Sequence, residues 1–362
     1  MNMPKRIGYL YEKMLDKEQI KQSILDCTKY KGNREEVKQV IDNIDECVDV
    51  MHEILSSCSY KPTIEYKKQI KDKSSGKIRE IVKVPFFPDA CLQRLAVDVM
   101  KPVLLKNMYP YSCASIPKRG TKCAMKYVKH ALRNDKKTKY AVKVDIRHYY
   151  PNIDADIVIE KLRRKIKDEK FLNLIYAMIT ADDTPGLSIG FYINQWLANF
   201  ILEEIDWKVA NSDGVLYYVR NMDDMVLIGS NKRKLFKAVK MIEKELSKMG
   251  LYLKRLERPF VIDDRGLDFV GYRFYHGRVT LRRKNFRKLR HDSILIQKKH
   301  KEGKPISRKL ASGFLSRAGQ LKYSDSYMIN ERYVVPAQPA KLRHIVRKWS
   351  ERNRKDVNNG KT

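Results

Sequence analysis

One aspartate inside an apolar strand, and an aspartate pair at the tip of an apolar hairpin, constrain this chain more than any other feature. The run Tyr140-Ala141-Val142-Lys143-Val144-Asp145-Ile146 reads as a strand that carries Asp145 near its end. Farther on, Val215-Leu216-Tyr217-Tyr218-Val219 and Met225-Val226-Leu227-Ile228 flank Arg220-Asn221-Met222-Asp223-Asp224, which predicts a hairpin with both acids at its tip. Carboxylates among apolar strands are costly unless a cation or a partner compensates them. Aspartates also cap turns, so each acid alone is ambiguous. Together they favour a site for a hard divalent cation, for which carboxylate oxygens are the natural ligands. Asp182-Asp183, by contrast, stand in a polar loop before Pro185 and read as solvated turn residues.

The rest of the chain alternates helical and strand patterns, and the fold class expected is α+β. Apolar spacing predicts two amphipathic helices over 17–57, broken at Lys31-Gly32-Asn33. A hairpin follows, with strands at 64–70 and 78–84, a polar turn at 72–76 and mostly basic outward residues. Helices are predicted over 90–105, 123–132, 156–166 and 171–179, then a long one over 192–210 and another over 232–249. Strand runs at 260–262, 267–275 and 279–281 precede a basic helical region that starts near Asn285.

Charge narrows the partner. Lys and Arg number 75 against 43 Asp and Glu, a net charge of +32 spread along the length. Phosphates neutralised by such a surface release condensed counterions, so nucleic acid is the expected ligand. No segment approaches the roughly 20 apolar residues of a membrane span, and Met1-Asn2-Met3-Pro4-Lys5-Arg6 leads into no signal-peptide core. The expectation is a cytoplasmic protein with no membrane partner. Its six cysteines lack C-x-x-C spacing and read as reduced structural thiols.

With these residues in view, the chain resembles the reverse transcriptases of bacteria from about Tyr60 to Tyr333. Val142 to Asp154 is similar to their first palm motif, a strand aspartate followed by an aromatic pair, here Tyr149-Tyr150, and then Ile153-Asp154. Val219 to Val226 resembles the Y-x-D-D hairpin, with Asn221 standing where the aromatic usually does. Gly76-Lys77-Ile78-Arg79 resembles the fingers strand, Leu267 to Phe274 the primer grip, and Ala311 to Tyr323 a thumb helix. Ile189-Gly190 and Gln195 match the form found in diversity-generating retroelement enzymes, while Asn194 departs from it.

The resemblance implies a right-hand polymerase fold with fingers, a palm whose antiparallel sheet carries helices on one face, and a helical thumb. The divisions expected are an N-terminal helical region at 1–58, fingers and the start of the palm at 59–139, palm at 140–281, and basic thumb and tail at 282–362. No appended RNase H, endonuclease or maturase domain is expected. It implies an RNA-directed DNA polymerase that uses two Mg²⁺ ions, or Mn²⁺ in their place, held by Asp145, Ile146, Asp223 and Asp224. Catalysis would rest on Asp145, Asp223 and Asp224. The nucleotide would meet Lys77, Arg79, Ile146, Tyr150, Gly190, Asn194 and Gln195, with Tyr150 as the gate against a ribose 2′-hydroxyl. Gly271 and Tyr272 would grip the primer. No general acid is assigned around Lys254, Arg255 and Glu257.

The partners implied are an RNA template, an RNA or DNA primer and dNTPs. A diversity-generating retroelement is the setting that the Ile189-Gly190 motif favours, and it would bring a small basic accessory protein. Phage-defence enzymes with unusual priming share the core. Retrons fit less well, because their N-A-x-x-H and V-T-G signatures are missing and Val279-Thr280 is followed by Leu281. The rival class is a catalytically silent RNA-binding scaffold, which retention of all three acids disfavours.

Overall fold

Residues that compete with helix geometry set the boundaries at the N-terminal end. Asp16 caps the helix Lys17–Thr28 by accepting from the Glu18 amide. The expected second helix is two, Glu35–Asp42 and Ile44–Ser56, preceded by a short helix at Leu10–Met14. At the break, the Asn43 side chain and its own amide both donate to the Gln39 carbonyl, at 3.0 and 3.1 Å, and so close the first of the two helices. The helix Cys91–Leu105 packs against Lys17–Thr28. The computed structural model describes residues 6–71 and 78–358, so the predicted turn at 72–76 and Lys77 lie outside the described residues.

Alternation produces the strands as expected. β1 (Tyr66–Lys71) and β2 (Ile78–Lys83) pair antiparallel, with Tyr66 opposite Lys83 and Ile70 opposite Arg79. The Val82 amide donates to the Ile189 carbonyl at 2.8 Å, which docks the hairpin on the loop before the helix Tyr192–Phe200. A four-stranded sheet has the order β4-β5-β3-β6, with β3 at Tyr140–Asp145, β4 at Tyr217–Asn221, β5 at Asp224–Gly229 and β6 at Phe260–Val261.

The predicted long helix over 192–210 divides into Tyr192–Phe200 and Glu203–Ala210. A tertiary contact stands at the break: the Lys161 ammonium donates to the Ile201 carbonyl at 2.9 Å, satisfying an acceptor that a continuous helix would have used. Glu203 then begins the second segment with its carboxylate 2.6 Å from Lys165.

Two compact units divide the chain. The first comprises residues 1–124, 142–227 and 233–258, with a core that includes Trp196, Phe171, Phe191 and Tyr218. The second comprises residues 125–141, 228–232 and 259–362. It holds a three-stranded sheet of β7 (Leu267–Phe269), β8 (Tyr272–Tyr275) and β9 (Arg278–Leu281), with the basic helices Arg283–Lys301, Arg308–Gln320 and Pro339–Asn358. The strand run expected over 267–275 is a hairpin, the form that the resemblance to a primer-grip hairpin implies. Val270 at φ 42° and Gly271 at φ 93° form its two-residue turn, the geometry that matches strand twist. Among the described residues no helix is long and apolar enough to cross a membrane.

Candidate active site

β3 delivers Asp145 to its end, and the neighbouring strand segment holds the main chain there. The Lys254 amide donates to the Asp145 carbonyl at 2.8 Å, and the Arg147 amide to the Tyr252 carbonyl at 2.9 Å. The Ile146 side chain between them is buried, so only its main chain can face a ligand. β4 and β5 turn through Met222-Asp223, with Met222 left-handed at φ 61° and Asp224 as the first residue of β5.

Asp223 senses the other two carboxylates. Asp223 is pushed up to about 6 by its burial and by the negative charges of Asp224 and Asp145, with Arg79 opposing. Asp224 is paired with Lys143, Nζ to Oδ1 at 2.9 Å. Among the described residues no three His, Cys, Asp or Glu side chains stand at the geometry of a finished metal site. The donor set nonetheless fits a hard divalent cation: it is all oxygen, and burial together with the neighbouring acids opposes ionisation of Asp223 until positive charge arrives.

Tyr150 stands beside these acids. Its hydroxyl lies 3.6 Å from the Met222 sulfur, and its ring meets Tyr149 edge-on with centroids 5.8 Å apart. Burial and the Asp223 charge push the phenol up to about 12, while Arg79 pulls the other way. β2 thus brings Arg79 within electrostatic range of both the acid and the tyrosine. The Tyr150 carbonyl accepts from the Leu187 amide at 2.8 Å. Gly186, at φ 79°, allows that approach, since a Cβ there would stand 2.3 Å from the Pro151 oxygen.

The remaining predicted residues divide. Gly190, at φ 128°, packs against β2, where a Cβ would sit 2.0 Å from the Val82 oxygen. Asn194 is buried, and its Nδ2 donates to the Ser188 carbonyl at 3.0 Å. Gln195 is half-buried on the same helix. In the second unit, Gly271 occupies the β7–β8 turn, and the buried Tyr272 donates its hydroxyl to the Gln320 carbonyl at 3.0 Å. The Tyr272 side chain is thereby spent inside its own unit.

The roles of three charged side chains escaped the sequence reading. Lys143 was legible in principle, because it lies two residues before Asp145 and so shares its strand face. Arg220, a charge between apolar strand residues, is fully buried. Asp182, expected in solvent, is only 4% exposed; it accepts from Ser188 and, at 2.7 Å, from Thr184. Hydroxyls from its own loop satisfy its Oδ2, and the Lys67 ammonium stands 3.9 Å from the same oxygen.

The family described as reverse transcriptase (RNA-dependent DNA polymerase) matches residues 70–274, more than half of the chain. This chain belongs to the reverse transcriptase family. Among curated proteins, this reverse transcriptase is 23% identical over 278 residues to Protein YkfC of Escherichia coli strain K12, covering 64% of this chain and 72% of that one. It is 28% identical over 109 residues to the Retron Ec73 reverse transcriptase of Escherichia coli, a match over 26% of this chain and 34% of that one. Apo telomerase from Candida tropicalis, truncated from its C-terminal domain, aligns over 65% of this chain and 60% of that chain at a TM-score of 0.43 and 15% identity.

Proposed function

We propose that this reverse transcriptase copies RNA into DNA from dNTPs, with Asp145, Asp223, Asp224 and the main chain at Ile146 holding two Mg²⁺ or Mn²⁺ ions. The observation that carries this reading is that β3 and the β4–β5 hairpin are neighbours in one sheet and bury Asp223 beside the charges of Asp224 and Asp145, which raises Asp223 and calls for a compensating cation. Bound there, the ions would activate a primer hydroxyl and hold the triphosphate.

The chain's own side chains supply the rest. Arg79 offers a two-pronged guanidinium to the triphosphate, with Lys77 beside it in the sequence. Tyr150 presents bulk where a ribose 2′-hydroxyl would enter, and the Gly190 loop with Asn194 and Gln195 supports the nucleotide from beneath. Gly271, through its backbone, and Tyr272, as the strand residue that follows the turn, belong to the primer grip. In this reading residues 59–139 form fingers, 140–281 palm and 282–362 thumb, the last tracking the phosphates of an RNA–DNA duplex through its Lys and Arg. The N-terminal helices at 1–58 flank the fingers in sequence. Ile189-Gly190 and Gln195 support a diversity-generating setting, with a small basic accessory protein as partner.

Purified protein supplied with an RNA template, an annealed primer and labelled dNTPs tests the reading. Incorporation should require Mg²⁺ or Mn²⁺ and vanish in Asp223→Asn/Asp224→Asn. No incorporation with either ion, on RNA or DNA primers, would overturn it.

A further inference from the structure

Arg220 lies on β4, two residues before Met222, with no exposed surface. Each N–H of its guanidinium has a use. Nε and Nη2 donate to the two oxygens of Asp206 at 2.7 and 2.6 Å; Nη2 also donates to the Asn199 carbonyl and Nη1 to Asn199 Oδ1, both at 3.1 Å. The last bond runs from Nη1 to the Met222 carbonyl at 3.0 Å. The frame around it is equally tied. Tyr218 donates its hydroxyl to Asp206 at 2.7 Å, and Asn199 donates to the Ala114 carbonyl at 2.9 Å.

A buried ion pair adds little net stability over apolar residues of the same volume, because desolvation offsets the attraction. Stability alone therefore does not account for this pair. The bond to Met222 reaches beyond the frame, and it reaches the hairpin tip. Met222 holds a left-handed backbone at φ 61°, a conformation that needs support in a residue with a side chain. Its carbonyl belongs to the same rigid peptide plane as the Asp223 amide, so fixing that oxygen fixes the plane from which Asp223 departs.

We infer that Arg220, braced by Asp206, is a positioning residue that sets the Met222–Asp223 peptide plane and thereby aims the Asp223 carboxylate. The inference rests on the nucleotidyl-transfer reading for its catalytic consequence, but not for its geometry.

Two variants test it. Arg220→Lys keeps the charge and loses the fork that reaches Asp206 and Met222 together. Arg220→Met/Asp206→Leu removes the pair as a neutral unit that can still pack. Phe171→Leu, a core substitution elsewhere, controls for general destabilisation. Hydrogen exchange without metal should rise over 222–224 in either folded Arg220 variant, but not in the control. The kcat should fall by up to about 10²-fold, with KM for dNTP within about twofold and weaker Mn²⁺ binding by paramagnetic resonance. A folded Arg220 variant with wild-type exchange at the tip and wild-type kcat would overturn the inference. Unfolding of both would assign the pair to the fold alone and overturn it too. An inactive wild-type protein would count against the nucleotidyl-transfer reading, while exchange at the tip would still decide the role of Arg220.

Discussion

The Lys143 ammonium lies 2.9 Å from Asp224 Oδ1, both side chains about a quarter exposed at 26% and 27%. Lys143 and Asp145 share one strand face, so a fixed positive charge stands beside the acids proposed to hold cations. It neutralises Asp224 in the metal-free protein and competes with any ion that Asp224 would ligate.

Replacing that lysine should therefore tighten metal binding. Lys143→Met is expected to bind Mn²⁺ about threefold or more tightly, since a like charge leaves the cation's surroundings. Its metal-free melting temperature should fall, because the carboxylates lose their internal counter-ion. Titration followed by paramagnetic resonance reads the first effect; unchanged or weaker affinity would show that Lys143 does not compete.

Asp223 makes the metal-free protein pH-sensitive. Its folded carboxyl titrates at about 6, above its ordinary 3.8, so the folded state holds this proton more tightly than the unfolded state does. That stabilisation is complete below about pH 4 and is lost as pH rises through 6. Asp223→Asn should therefore be more stable than wild type at pH 7.5 in chelator, by about 3 kcal/mol, with the advantage fading towards pH 4. A difference that does not vary with pH would contradict the raised Asp223 carboxyl.

Tyr150 separates ring bulk from its hydroxyl contact. Tyr150→Ala should raise ribonucleotide incorporation relative to dNTP by about tenfold or more, as a filled pocket is emptied. Tyr150→Phe, which loses only the contact to the Met222 sulfur, should keep most of the discrimination. Equal rNTP use by Tyr150→Ala and wild type, measured with matched primers, would remove Tyr150 from the gate.

Gly190 lets its loop approach β2, the strand that carries Arg79. A Cβ at position 190 would meet the Val82 oxygen at 2.0 Å from a backbone at φ 128°. Gly190→Ala should cost on the order of 2 kcal/mol or more and displace β2, raising KM for dNTP more than it lowers kcat. A variant with wild-type melting temperature and KM would show that β2 does not depend on this approach.

Much of the architecture was legible because period and composition act locally. Alternation located β1 to β5, and the apolar strands around Asp145 and Asp223-Asp224 announced a shared charged site before any contact was known. Boundaries failed where a distant side chain intervened. Lys161 reaches the Ile201 carbonyl and ends a helix that its own sequence would continue, and Val270-Gly271 folds one apolar run into two strands.

By itself, the sequence determined the element types, the basic surface and the identity of the acids, since these depend on neighbouring residues and on charge. Tertiary structure decided which acid is hard to ionise, which is paired with Lys143, and why Arg220 and Asp182 are buried. Those outcomes depend on distance and desolvation between residues far apart in the chain, and folding alone brings them within reach.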